Sequence, residues 1–201
     1  MARSEFVSAA GKVFEFVKGI AQEVQDMGGG DEDLGRVLSE RQLRRQIAEL
    51  IMSDGGKRDE NVFPVSMNYD LSVEVLIRVG EYNWSNSDIT EKNFRSEENG
   101  TQSVELRLVH FNRVISSEDA LKELDRMGLR PATLKELLTF GSTYKEEQRK
   151  HPIVALGSVS RDWRGRWFVA DLLEVAGDRH LNLDGLESDW RERCRFAAVR
   201  K

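Results

Sequence analysis

Apolar residues recur every three or four positions through the first fifty residues, a spacing that places them on one face of a helix. Over residues 4–26 this face comprises Phe6, Ala10, Val13, Val17, Ile20 and Val24. The three glycines at 28–30 end this helix, because their backbone entropy opposes helical structure. A second helix is predicted over about 32–52, and the Ser39–Gln42 pair inside it resembles a capping box that would mark another start.

The segment 53–61 (SDGGKRDEN) is polar and glycine-bearing, which is typical of a linker. It divides the chain into an amphipathic helical segment, 1–58, and a domain, 61–201. Two amphipathic helices have no core of their own, so they either pack as a hairpin on the main domain or lie on a partner chain. We expect residues 4–52 to contact a protein partner or a second copy of this chain. The first helix has a polar face of mixed charge, which argues against binding to an anionic membrane.

From residue 62 the pattern changes to short apolar runs. VFPVSM (62–67) predicts a strand that Pro64 restricts to an edge or an end of a sheet. Residues 103–111 alternate, with His110 on the same face as three apolar residues, and predict a half-buried strand. Residues 70–80 predict a short helix, and a long polar loop follows it.

The clearest helical signals lie in the middle of the domain. Ser116 or Ser117 caps a helix that ends at Gly128, and Thr133 caps the helix that follows. Proline at position 131 separates the two helices, because it forces the preceding residue out of the helical region.

The remainder of the domain predicts strands. Apolar runs at 152–160 and 166–176 are joined by a hairpin turn at Arg164–Gly165, and HLNLDGL and CRFAAVRK form the last strands. The element order therefore predicts an α+β fold with helices in the middle and short strands at both ends, preceded by the N-terminal helical segment.

Composition excludes several classes of protein. The 201 residues are 39% hydrophobic and 32% charged, with a net charge of -5, which fits a globular protein and not a protein that coats nucleic acid. No apolar run is long enough to span a membrane, and the charged N-terminus lacks the apolar core of a signal peptide. Cys194 is the only cysteine, so the chain forms no internal disulfide, and we expect a cytoplasmic location.

Three stretches resemble motifs of a known family, in the same order and with similar spacing. GLRPATLKEL (128–137), LGSV (156–159) and RFAAVR (195–200) resemble motifs of the C-type lectin-like fold used by the formylglycine-generating, sulfatase-modifying family. In this chain Ala132 is inserted, and Leu137 stands where the family has tryptophan. RPATLKELLTFG, HPIVALGS and RFAAVRK resemble uncharacterised proteins of candidate-phylum bacteria more closely. The resemblance implies a lectin-like domain over about 61–201, with its first and last strands paired.

The catalytic chemistry of that family is not implied for this chain. Its enzymes use a pair of cysteines and a metal, whereas Cys194 stands alone and is predicted to be a small buried residue. His110, His151 and His180 lack metal-binding spacing, and Ser158 does not stand in the G-x-S-x-G pattern of a nucleophile elbow. No phosphate-binding glycine motif occurs. We therefore predict no catalytic residue, no metal and no cofactor.

The C-terminal third of the chain is rich in tryptophan and arginine, the residues that most often supply the energy of an interface. The candidate ligand-binding residues are Trp163, Arg164, Trp167, Trp190 and Arg191. The alternative is that these tryptophans fill the core beneath long loops.

The leading hypothesis for function is a non-enzymatic binding or assembly module. One alternative is a cytoplasmic hydrolase or transferase, which a cavity joining two histidines to a carboxylate would favour. The other is a DNA-associated regulator, because residues 116–140 superficially resemble a helix-turn-helix. Its second helix has no row of basic or amide side chains to read bases, so nucleic acid is not the expected partner.

Overall fold

The computed structural model describes residues 17–26, 28–43, 45, 61–96 and 98–201. The chain divides into two compact units, Met1–Arg58 and Asp59–Lys201. Among the described residues, no helix is both long and apolar enough to cross a membrane.

The smaller unit is helical where it is described. Residues 17–26 form a helix, Gly28 turns the chain with a φ of 83°, and a second helix covers Asp31–Ser39. Glu40 is extended and residues 41–43 are helical again, so the helix does restart near Ser39. Residues 4–16 and 46–52 of the two predicted helices lie outside the described residues, and association through 4–52 stays a prediction.

The larger unit is mixed α/β, in agreement with the predicted α+β class. Its strands are β1 Val62–Asn68, β2 Trp84–Ser85, β3 Thr101–Val109, β4 Ile115–Ser116, β5 Leu129–Pro131, β6 Ile153–Arg161, β7 Trp167–Val175, β8 Asp178–Gly185, β9 Asp189–Trp190 and β10 Arg195–Arg200. Its helices are α1 Val73–Gly80, α2 Ser117–Arg126, α3 Leu134–Thr143 and α4 Glu147–Lys150.

One large sheet organises this unit, with its strands in the order β1-β3-β10-β6-β7-β8-β2 and β5 paired with β10. The expectation that the first and last strands pair is wrong, because β3 lies between them. Val65 of β1 is opposite Val104, and Ala198 of β10 is opposite Arg107. Residues 101–107 of β3 pair with β1 and residues 106–109 pair with β10, while Pro64 keeps β1 at the edge, where its missing N–H costs no ladder hydrogen bond.

Alternation along the central strands gives the sheet two apolar faces. On β10, Ala197 and Val199 belong to one buried cluster, which also contains residues of α1 and α3. Phe196 and Ala198 point to the other cluster, together with residues of α2 and with Trp190. The centre of the large sheet is therefore covered on both sides, and residues 169–172 in the middle of β7 are buried.

Thr133 caps α3 as predicted, and the cap is tied into the core. The Thr133 hydroxyl accepts a hydrogen bond from the Glu136 N–H, and the fully buried Glu136 carboxylate accepts one from the Thr133 N–H at 2.8 Å. The same carboxylate receives two hydrogen bonds from Arg130, at 2.7 and 2.9 Å, and one from the Tyr69 hydroxyl at 2.8 Å. Ser116, and not Ser117, caps α2.

Candidate functional site

The turn between β6 and β7 is built around Asp162. Its Oδ1 accepts hydrogen bonds from the backbone N–H groups of Arg164 and Arg166, each at 2.9 Å, and its Oδ2 accepts one from the Arg166 side chain. Gly165 has a φ of 84°, a conformation that glycine adopts without strain. The predicted hairpin turn at Arg164–Gly165 is confirmed, and its backbone is held rigidly beneath the side chains it presents.

Residues 161–167, which we call the Arg–Trp tip, present two tryptophans and three arginines. The Trp163 side chain is exposed to 86% of its maximum, and the Arg164 guanidinium lies 4.5 Å from the centroid of its ring. The Arg161 guanidinium lies 5.2 Å from the centroid of the Trp167 ring. Stacking of this kind orients a guanidinium and an indole together at little entropic cost.

Apolar surface extends from the Arg–Trp tip along one face of the hairpin. Arg161 and Trp167 are cross-strand partners, and Val159 lies two residues before Arg161 on the same face of β6. Trp167 and Val159 are exposed to 39% and 40%. Three large side chains, Val159, Trp163 and Trp167, therefore present apolar surface on one hairpin.

A cleft of about 410 Å³ lies beside the Arg–Trp tip. Trp163, Arg166 and Phe168 form part of its lining, and the loop after β2 contributes polar side chains to it, including Asn86 and Asp88. A partner that stacks on Trp163 would thus find hydrogen-bonding groups next to the indole.

Two of the five candidate binding residues lie elsewhere. Trp190 is 4% exposed, its indole N–H donates to the Ser117 hydroxyl at 2.7 Å, and its ring meets Phe196 edge-on. Trp190 is therefore a core residue, as the alternative interpretation of these tryptophans predicts, and its role is packing. Arg191 is exposed and lines a second cavity. The structure brings together Trp163, Arg164 and Trp167 at the tip.

The second cavity, of about 200 Å³, contains a residue that the sequence reading missed. Asp171 of β7 is 4% exposed, and burial, together with the neighbouring Asp184 carboxylate, raises its pKa to about 7. The signal was present in the sequence, because one acid interrupts the apolar run FVADLL. Cys194 lines the same cavity, and it is buried as predicted, which raises the pKa of its thiol.

The histidines do not form a site with these groups. His110 lies beyond the end of β3 and is exposed, contrary to the expected inward position, with its Nε2 2.7 Å from the Glu192 carbonyl oxygen. His180 stacks on Trp84, with 5.4 Å between ring centroids. Among the described residues that line the two cavities none is a histidine, and no described group of three His, Cys, Asp or Glu residues is placed to hold a metal ion.

Comparison with protein-family models, with curated proteins and with solved structures finds no match for this chain.

Proposed function

We propose that the larger unit is a lectin-like, non-enzymatic binding module whose contact surface is the Arg–Trp tip. The observation that carries this proposal is the Trp163 indole, 86% exposed at the end of a rigid hairpin with the Arg164 guanidinium 4.5 Å from its ring. Nothing in the fold of the unit requires this indole, because Trp163 belongs to neither buried cluster.

Energetics favour a contact role for an indole in this position. Truncating a tryptophan at the centre of an interface to alanine typically costs about 2 kcal/mol or more of binding free energy, because the indole buries a large area with few rotatable bonds. The turn hydrogen bonds to Asp162 hold the backbone beneath Trp163, so a partner would pay little ordering entropy on binding.

The charges of the Arg–Trp tip indicate the chemistry of the partner. Residues 161–167 contain three arginines and one aspartate, on a chain whose net charge is -5. Arg166 pairs with Asp162, whereas within the described part of the chain neither Arg161 nor Arg164 makes an ion pair. Arginines without an ion-pair partner among the described residues, next to exposed indoles, favour a protein partner that presents carboxylates beside an aromatic side chain.

This proposal is tested by selecting peptides from a random phage-displayed library on the immobilised full-length chain. A parallel selection on the Trp163→Ala variant removes peptides that bind elsewhere. We expect the wild-type selection to enrich sequences with Asp or Glu near an aromatic residue, and the variant selection to lose them. Enrichment of the same sequences by both proteins, or of sequences without acidic residues, would contradict the proposal.

A second probe separates this proposal from the nucleic-acid alternative, since tryptophan and arginine also stack on bases. Fluorescence anisotropy of a labelled twenty-nucleotide oligothymidine with the full-length chain should show no binding at 150 mM salt. Binding that weakens with salt and is lost in Trp163→Ala would assign the tip to single-stranded nucleic acid instead. A cytoplasmic location remains part of our proposal, because it fits a chain with one reduced cysteine.

A further inference from the structure

The second cavity opens onto one face of the large sheet, where polar groups are concentrated. Asp171 on β7 and Asn182 on β8 are cross-strand partners, and Asp184 lies on the same face of β8 two residues beyond Asn182. All three line the cavity, with Trp190 as part of its apolar wall. This face otherwise carries the buried cluster of Val154, Val169 and Phe196.

Among the described residues, the Asp171 carboxyl has one hydrogen-bond partner. Its Oδ1 accepts from the Asn182 side-chain N–H at 3.2 Å, and its Oδ2 accepts no hydrogen bond from any residue that the structure describes. No described cation forms an ion pair with Asp171, and its charged neighbour is another carboxylate, that of Asp184. A buried ionised carboxylate costs several kcal/mol unless a positive group compensates it, so a cation that enters the cavity beside Asp171 would be favoured.

We propose that this cavity binds a primary ammonium group, held by Asp171, Asn182 and Asp184. An ammonium carries three N–H donors. The three side chains supply matching acceptors: the Oδ2 atom of Asp171, the side-chain oxygen of Asn182, whose N–H is already used, and the Asp184 carboxylate. The site is independent of the Arg–Trp tip, since the two cavities share no lining residue.

The rest of the cavity limits what can carry this ammonium. A volume of about 200 Å³ accepts a short aliphatic chain, which Leu173 and Trp190 would contact. Arg191 and Arg193 also line the cavity, and neither makes an ion pair with a described residue. They can hold a carboxylate on the same ligand, as in a free amino acid, or lie against the backbone of a peptide whose lysine enters the cavity.

The test uses the ¹⁵N-labelled full-length chain at pH 8, where Asp171, with its pKa of about 7, is ionised. The indole N–H of Trp190, hydrogen-bonded to Ser117, gives a signal distinct from those of the other three tryptophans. We expect butylammonium chloride to shift the Trp190 signal and leave that of Trp163 unchanged. Tetramethylammonium, a cation without N–H donors, and butyrate should cause no shift of Trp190.

Substitution of Asp171 by Asn keeps its shape and removes its charge. We expect Asp171→Asn to weaken butylammonium binding at least tenfold, and Asp178→Asn, which changes an exposed carboxylate at the start of β8, to leave it unchanged. No shift of Trp190 with butylammonium, an equal shift with tetramethylammonium, or full binding by Asp171→Asn would overturn the proposal. None of these results tests binding at the Arg–Trp tip, because the separate signal of Trp163 reports on the tip.

Two further probes identify the natural source of the ammonium. Norvaline carries an amine beside a free carboxylate, and Nα-acetyl-lysine N-methylamide represents a lysine within a peptide. Tighter binding of norvaline than of butylammonium would assign the cavity to a free amino acid, with Arg191 or Arg193 as the carboxylate partner. Tighter binding of the lysine derivative would assign it to a peptide. If neither shifts the Trp190 signal, the proposal is wrong.

Discussion

Replacing Asp171 by Asn should stabilise the folded protein, and by more at high pH than at low pH. In the folded chain burial raises the pKa of Asp171 from 3.8 to about 7. Between these two values the folded state keeps a proton that the unfolded chain has released, so this carboxyl lowers stability as the pH rises through that window. Asparagine does not lower stability as the pH rises, because it is neutral in both the folded and the unfolded state.

The size of the effect follows from the two pKa values. At pH 8 the difference between the two pKa values corresponds to a stabilisation by Asp171→Asn of at most about 4 kcal/mol. At pH 5, where the unfolded carboxyl is ionised and the folded one is not, the stabilisation is under about 2 kcal/mol. For a chain of this length about 4 kcal/mol corresponds to a rise of roughly 10 °C in melting temperature.

Urea unfolding followed by tryptophan fluorescence measures this change, because all four tryptophans lie in the larger unit. The free energy of unfolding of Asp171→Asn is compared with that of wild type at pH 5 and pH 8. The exposed-site variant Asp178→Asn is the control and should show no difference between the two pH values. Equal effects of Asp171→Asn at both pH values, or destabilisation at pH 8, would refute the reasoning.

Three further experiments test the packing of the larger unit. Glu136→Gln removes the charge that holds Arg130 and should lower the free energy of unfolding by about 2–4 kcal/mol in urea titrations, so an unchanged midpoint would contradict the buried pair. Gly157→Ala places a Cβ 2.5 Å from the Ala132 carbonyl oxygen and should cost about 2 kcal/mol or more in thermal unfolding, whereas a wild-type melting temperature would disprove that contact. Iodoacetamide should alkylate Cys194 much more slowly in the native protein than in urea, because burial raises the pKa of the thiol, and equal rates would show that it is accessible.

Local features of the fold were predictable because they depend on neighbouring residues. The helix caps Thr133 and Ser116 and the turn glycine Gly165 act through side-chain or backbone preferences within three or four positions, and the structure uses each of them as expected. Strand pairing was not predictable in this way. The position of β3 between β1 and β10 depends on contacts far apart in sequence, which short-range preferences do not specify.

The candidate site was predictable only in part for the same reason. Trp163 and Trp190 are the same residue type in similarly charged surroundings, yet one is 86% exposed on a turn and the other is 4% exposed between β4 and α2. Composition cannot separate them, because exposure depends on which elements cover each ring. Asp171 was missed because a single acid in an apolar run gains meaning only when its neighbours across the strands are known.

The affinity of one selected acidic peptide for three versions of the full-length chain tests the central claim most directly. Trp84 is 45% exposed on β2 and provides the matched control for Trp163. Titration calorimetry should show binding weakened about 30-fold by Trp163→Ala, the loss expected when a central interface tryptophan is removed, and changed less than about twofold by Trp84→Ala. Equal affinity of wild type and Trp163→Ala would contradict the assignment of the Arg–Trp tip as the binding surface.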